Sequence, residues 1–507
     1  MKTKAFSFGP AILVTAAFIG PGTVMTASKS GSDFGFVLLW AVGFSVLATI
    51  VLQEMAARLG IVTGSGLSQA LKATVTQPLA RICVLGLVLV AILVGNAAYQ
   101  TGNILGAASG VVALRPGSDT PSKMAAVPTS EESSLTNEGS QQSKLNTKNG
   151  SEPAKLAQDT VVILIGIAAM LVIGIGRFDV LQMVLTLLVA LMSVIFVVAA
   201  IMSGPNWADV FGGFVPRIPT GSEWIVIGLI GTTVVPYNLF LHASAAAQRW
   251  DFDQETENDI DTLRKTALTS SRWDTILSVL IGGVVTCAIM ITAAVAFHAV
   301  ESTTQADPPA KPVLASVKDV AVQLEPALGS WAKTLFAIGL CAAGLTSAIT
   351  APIAAGYAAA GCFGWPGALS DWRLKLTASA VVVAGLLFAI RFGSSPKETI
   401  ILAQVANGLL LPIIAIFLLV MANRTGLLGR YRNGPIANIL GGLVVLMVTL
   451  IAARQLTLVG KKIQTLMAPE SVEVSVRRIE CTQTTRPTQF SGVRRLENRT
   501  IAQQDLQ

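Results

Sequence analysis

Eleven apolar stretches divide this chain, at about residues 8–27, 34–59, 80–112, 159–175, 178–202, 222–245, 273–299, 328–360, 374–391, 399–421 and 433–453. A membrane-crossing helix needs roughly 20 apolar residues. Hydrocarbon offers no hydrogen bonds to the backbone, so a chain that spans it repeatedly must do so as helices or as a closed barrel. Apolar runs of this length read as helices, and the fold class expected is an all-α polytopic membrane protein. The third and eighth stretches are long enough to tilt or to overhang the membrane.

Two of the stretches are broken in the middle. The first carries Gly20-Pro21-Gly22-Thr23, and the sixth carries Val235-Pro236-Tyr237 at a similar depth. Proline removes a backbone donor, and glycine weakens the helical state. In lipid such a break is tolerated where the freed backbone groups line a cavity or bind something, although a kink used for packing is the plainer alternative. Interrupted helices at corresponding places in the two halves of a chain point to a transporter site.

Lys and Arg in the short loops set the orientation. With the N-terminus cytoplasmic, the inner side collects Lys2, Lys4, Lys72, Arg81, Arg249, Arg272, Arg373, Arg424 and others, whereas the outer short loops hold only Arg217, Lys311, Lys318, Arg391 and Lys397. Eleven spans put the C-terminal tail outside, although it carries a run of basic residues from Lys461 to Arg499. Residues 115–158 are too polar to bury a core and are expected to be a disordered external loop. Residues 455–507 are expected to be a polar, basic and largely disordered tail, with a short amphipathic piece near 459–467. The net charge of +7 is accounted for by helix ends and tail, so no nucleic-acid partner is implied; the partner is the bilayer. The first four residues are too short and lack a small-residue cleavage site, so no signal peptide is expected. Two histidines, His242 and His298, exclude a multi-histidine metal site, and the five cysteines have no metal-ligand spacing. No nucleophile–base pair or phosphate loop is visible, so the chain does not read as an enzyme, and no resident cofactor is expected.

Gly9-Pro10-Ala11, Gly20-Pro21-Gly22-Thr23, Leu38-Leu39-Trp40 and Leu59-Gly60-Ile61-Val62-Thr63-Gly64, followed by Gly231 to His242, Phe336 to Ser347, and Gln404-Val405 to Leu411-Pro412, resemble the NRAMP divalent-metal transporters. The resemblance runs from about residue 8 to 430 and implies a LeuT-like inverted repeat with broken first and sixth helices. On that reading the transporter core covers residues 1–430, with a first repeat at 8–202 and a second at 222–421, and 433–453 is an additional transmembrane helix. It also implies a multi-pass protein of the cell membrane whose substrate is a divalent metal ion.

The departures are as informative as the match. In the family the first break reads Asp-Pro-Gly-Asn, and its Asp and Asn hold the metal; here those positions are Gly20 and Thr23. The metal-binding Met of the sixth span is Val235, the His after the proline is Tyr237, and the acidic residues of the third span have Gln100 and Asn103 as their nearest counterparts. What remains for a substrate is the carbonyls near Ala17 and Thr232, the hydroxyls of Thr23 and Tyr237, and the Gln404 amide, around the breaks at Pro21, Gly22 and Pro236. A dication without counter-charge is expensive in low dielectric. A hard ion that keeps waters and accepts neutral oxygens suits such a site better than one needing a thioether. The reading is therefore a carrier of a hydrated, hard dication of the Mg/Mn class that is not coupled to protons.

The alternatives are a carrier of a small organic carboxylate such as an amino acid, held by helix N-terminal amides, or a scaffold that senses without transporting. Lys29 would assist a carboxylate, or else it snorkels outward at the helix end. Glu54 has Arg58 at i+4 and reads as an ion pair or as a relay. His242 reads as a polar packing residue or as part of the cytoplasmic path.

Overall fold

The computed structural model describes residues 19–115, 139–176, 179–250, 257–298, 314 and 316–467. It divides into a unit Met1–Leu458 and a unit Val459–Gln507, and the account below concerns the first. The helices are α1 (Pro21–Phe34), α2 (Leu39–Thr63), α3 (Leu67–Thr74), α4 (Pro78–Ala113), α5 (Gly139–Ile175), α6 (Asp179–Met202), α7 (Glu223–Thr233), α8 (Pro236–Arg249), α9 (Glu257–Ala293), α10 (Ala332–Phe363), α11 (Trp372–Phe392), α12 (Pro396–Ala422) and α13 (Pro435–Met467). Among the described residues ten helical segments are long and apolar enough to cross a membrane, with α7 and α8 together forming one of them, Glu223–Arg249. The first predicted stretch is described only from Ile19 onward, as α1.

Local chemistry explains where these helices begin and end. Proline stands at the start of α1, α4, α8 and α12, where its missing N–H costs nothing because first-turn donors have no helical partner. Asp371 caps α11 by accepting the Arg373 N–H at 3.0 Å. Gly364 ends α10 in the left-handed region at φ 77°, a conformation that a β-carbon disfavours.

Three expected boundaries are corrected. The loop expected over 115–158 is helical from Gly139, as the start of α5, and residues 116–138 lie outside the described residues. Ala154-Lys155-Leu156-Ala157-Gln158, next to the apolar run, prolong a helix at little cost per residue, whereas Gly150 and Pro153 disfavour one, so propensity does not account for the turns before them. Helix propagation likewise carries α13 past its expected end at 453 to Met467, so the tail expected from 455 is helical over its first part; residues 468–507 lie outside the described residues. The seventh span starts at Glu257 rather than 273, because its polar first part prolongs the helix beyond the apolar run.

Packing places the broken span at the centre. In its most apolar window, Glu223–Arg249 is 94% buried, against 22% for Pro435–Thr457. The most extensive helix contact joins α4 to α10, followed by α4–α12, α2–α8 and α7–α12. Small residues allow these approaches, as membrane helices commonly require. A β-carbon on Gly344 would come within 2.6 Å of the Ala107 N, and one on Gly106 within 2.2 Å of Pro21 Cβ. The second of these contacts seats the first break against α4.

Candidate substrate site at the helix breaks

α7 ends at Thr233 and α8 begins at Pro236, leaving Val234 and Val235 between two half-helices. The cause is covalent. Pro236 has no N–H, so the Thr232 carbonyl four residues earlier loses its helical donor. Val234 N–H still reaches the Ile230 carbonyl at 2.8 Å, and the Asn238 N–H turns back to Val235 at 3.1 Å. In the first span, Gly20 is extended (φ −105°, ψ −178°) and α1 starts at Pro21; residues 1–18 lie outside the described residues. Ala17, whose carbonyl sits four residues before Pro21, lies outside the described residues.

The start of α1 meets the α7–α8 break. Thr23 Oγ1 and Thr232 Oγ1 share a hydrogen bond of 2.9 Å, and both residues are fully buried. Gln404 closes the third side from α12. A β-carbon on Gly22 would come within 2.1 Å of Gln404 Nε2 and 2.9 Å of its Oε1, so the amide lies directly on the α1 backbone and only glycine admits it. Gln404 Nε2 donates weakly to the Ile400 carbonyl at 3.4 Å, while its Oε1 has no partner among the described residues. On the other flank, a β-carbon on Gly231 would come within 2.1 Å of the Gln404 carbonyl, which holds α7 and α12 backbone to backbone. Thr23, Thr232, the Thr232 carbonyl side of α7 and Gln404 thus form one compact group of neutral oxygens.

The remaining sequence candidates distribute around this group. Tyr237 packs its ring on Tyr99 of α4, with centroids 5.2 Å apart and planes tilted by 58°. Val235 is the N-cap of α8 and belongs to the apolar core. Gln100 donates to the Ala348 carbonyl of α10 at 3.0 Å, which commits it to the α4–α10 contact, and Asn103, one turn on in α4, donates to Gln100 Oε1 at 3.5 Å. His242 faces α9, where its Nε2 lies 3.3 Å from Thr275 Oγ1. Lys29 binds Asp33 one turn on, at 2.5 Å, so its charge is offset and it does not stand as a lone cation beside the break. Glu54 takes two arginines, Arg58 at 3.2 Å and Arg272 at 3.0 Å, and Arg58 also donates to Asn433 Oδ1 at 2.5 Å.

Several buried amides went unnoticed in the sequence. Both side-chain atoms of Asn238, next to Tyr237, and Nδ2 of Asn407, one turn after Gln404, have no partner among the described residues, although both residues are buried. Their spacing from Tyr237 and Gln404 on the same helices was the available signal. Tyr99 carried a weaker one, as one of four tyrosines in the chain. No group of three or more His, Cys, Asp or Glu that could hold a metal ion occurs among the described residues.

A many-spanning helical membrane protein with a discontinuous helix at its centre and uncharged oxygens at the break is the class that fold and site define. Residues 11–128 and 153–458 match the family model described as natural resistance-associated macrophage protein-like, Nramp, and the chain belongs to this family. It is 28% identical over 440 residues to the divalent metal cation transporter MntH 1 of Pseudomonas aeruginosa, covering 85% of this chain and 87% of that one. It is 26% identical to the divalent metal cation transporter MntH of Staphylococcus saprophyticus, covering 88% and 91%. A crystal structure of the Eremococcus coleocola manganese transporter, with an aromatic bis-isothiourea compound, superposes with a TM-score of 0.64 at 21% identity, covering 88% of this chain and 84% of that one. The fold is therefore the LeuT-like fold of that family.

Proposed function

We propose that the chain is a secondary carrier of divalent metal cations that holds a hard, partly hydrated ion of the Mg/Mn class by neutral oxygens and moves it without protons. The observation that carries the reading is the Thr23–Thr232–Gln404 group: a buried meeting point of the α1 start, the α7–α8 break and α12, bearing neutral oxygens, with Gln404 Oε1 unpartnered among the described residues. Carbonyl, hydroxyl and amide oxygens suit a hard cation that retains water, and the absent thioether removes the preference for softer ions. The half-helix α7 adds its C-terminal partial negative charge at the same place. The relatives named as divalent metal cation transporters support the substrate class.

The group is fully buried, so a hydrated ion enters only if α1 and the α7–α8 break part from α12. Proton coupling needs titratable groups beside the ion. Thr23, Thr232 and Gln404 do not titrate, and the candidates Glu54 and His242 are held by Arg58 with Arg272 and by Thr275. The reading keeps the N-terminus cytoplasmic and the protein in the cell membrane, on the loop charges given above.

The test is uptake by the purified protein in liposomes loaded with a pH dye, offered Mn²⁺, Mg²⁺, Ca²⁺ and a panel of small amino acids. The expected result is dication influx with little preference among the three ions, driven by membrane potential, with no internal acidification beyond that of empty liposomes. Amino-acid uptake without dication uptake would overturn the substrate class. Acidification that tracks dication influx would overturn the uncoupled mechanism alone.

A further inference from the structure

Away from the breaks, two adjoining concavities share Ser394, Ser395 and Glu398 at the turn between α11 and α12. One is a groove of about 770 Å³ between α4, α11 and α12, walled by Val94, Ala98, Phe388, Phe392 and Leu402. Of these walls Val94, Phe388, Phe392 and Leu402 are about half exposed or more, so the groove opens on the side of the bundle that meets lipid. Arg391 stands at its mouth, with its guanidinium 5.4 Å from the Phe392 ring centroid. The other is a polar cavity of about 560 Å³ that includes Arg115, Lys318, Lys397, Ser109 and Ser316.

The charge here is uneven. Of the five basic residues in the short loops opposite the cation-rich face, three are gathered at this one place: Lys318, Arg391 and Lys397. Lys397 is already engaged, donating to the Leu314 carbonyl at 2.7 Å and pairing with Glu398 at 3.3 Å. Asp319 is occupied as well, accepting the Ser316 N–H at 2.6 Å. Arg115, Lys318 and Arg391 have no ion pair among the described residues. An apolar groove bearing Arg391, joined to a cavity bearing Arg115, Lys318 and serine hydroxyls, with no ion pair for these cations among the described residues, complements the polarity of an anionic phospholipid.

We infer that this joined groove and cavity bind one anionic phospholipid, its acyl chains lying along α4 and α12 and its phosphate among Arg115, Lys318 and Arg391. A basic pocket beside membrane helices recognises an anionic headgroup, each cation contributing on the order of tenfold or less to the preference. The apolar walls supply the tail contacts that a free anion could not use. The site is separate from the Thr23–Thr232–Gln404 group, and its occupancy does not depend on which solute the chain carries.

The experiment is native mass spectrometry of the full chain in detergent, titrated with phosphatidylglycerol and with phosphatidylcholine of identical acyl chains, and with inorganic phosphate as competitor. Retention of a single phosphatidylglycerol about tenfold above phosphatidylcholine is expected. The triple variant Arg115→Gln, Lys318→Gln, Arg391→Gln should lower phosphatidylglycerol retention to the phosphatidylcholine level. Leu402→Trp, which fills the groove from the exposed face of α12, should lower retention of both lipids. Equal retention of the two lipids by the unaltered chain, or a preference that survives the triple variant, would overturn the assignment. So would complete displacement by millimolar phosphate, which would make the cavity a free-anion site. The three glutamine substitutions lie at the rim of the fold, so this arm stands even where the tryptophan variant fails to fold.

Discussion

Buried polarity takes two opposite forms in this molecule. At the helix breaks it is neutral and incompletely matched: hydroxyls, a carbonyl without its helical donor, and the Gln404 Oε1 left without a partner among the described residues. At one end of α2 it is ionic and largely paired, although the Arg58 Nε has no hydrogen-bond partner among the described residues. Glu54 is held by Arg58 and Arg272, Arg58 reaches on to the Tyr431 carbonyl and Asn433, and Asp261 takes the Tyr431 hydroxyl and Arg430. The second cluster stitches α2, α9 and the α12–α13 connection together. A charge is tolerated inside a protein when it is paired, and a polar group left over is costly. The difference therefore separates a region built to hold shape from one that keeps unused binding capacity.

The sharpest way to break this contrast is to spoil the backbone approach that assembles the neutral group. Gly231→Ala drives a β-carbon to 2.1 Å from the Gln404 carbonyl and 2.5 Å from the Gly408 N. Backbone atoms cannot step aside, and overpacking of this kind costs about 3 kcal/mol or more. Little monodisperse protein should survive size-exclusion chromatography, whereas Gly86→Ala, with nothing within 4 Å of its β-carbon, should behave as the parent. If the two variants behave alike, the α7–α12 contact is not what assembles the group.

Next in size is the ionic cluster. Arg58→Met leaves Glu54 with only the more exposed Arg272, and losing one member of a largely buried pair costs about 2–3 kcal/mol. Thermal melting should fall accordingly while uptake per folded molecule holds. Adding Glu54→Gln should recover part of the loss, since the orphaned charge is then gone. A double variant that melts no higher than the single one would show that packing, not charge, holds this corner.

Thr23→Ala and Gln404→Ala should show the reverse pattern. Each removes about 1 kcal/mol or less of hydrogen bonding, so melting should barely shift, yet dication uptake should drop severalfold. Parent-like uptake in both would move the site elsewhere. The smallest effect belongs to Arg430→Gln at the solvent edge of the ionic cluster, where an exposed pair is worth under about 0.5 kcal/mol; a larger loss of melting temperature would extend the paired region outward.

Much of this was legible from the chain. Pro236 announces the interruption between α7 and α8, and Pro21 the start of α1, because a missing N–H acts locally; the run lengths announce the helices for the same reason. Glu54 with Arg58 is readable from helical spacing, and Lys29 with Asp33 has the same i,i+4 spacing. Hidden from the sequence were the partners that only the fold supplies: Tyr99 against Tyr237, Asn433 against Arg58 across 375 residues, and Gln404 against Gly22. No local periodicity carries those distances. Helix lengths failed where polar residues continued α5, α9 and α13, because helix propagation ignores the edge of the hydrocarbon that the apolar count was tracking.

The Thr23–Thr232 hydroxyl bond has a kinetic consequence for a carrier. A site built on carboxylates must neutralise them, with cargo or with protons, before it can cross the membrane unloaded, since a bare anion in low dielectric costs many kcal/mol. Two hydroxyls that satisfy each other present no such barrier on the return stroke. If the proposed site carries the cargo, a cycle built on this pair resets without a counter-substrate, so net filling of a vesicle should keep pace with one-for-one exchange, and an internal pool of the same ion should give little acceleration of influx.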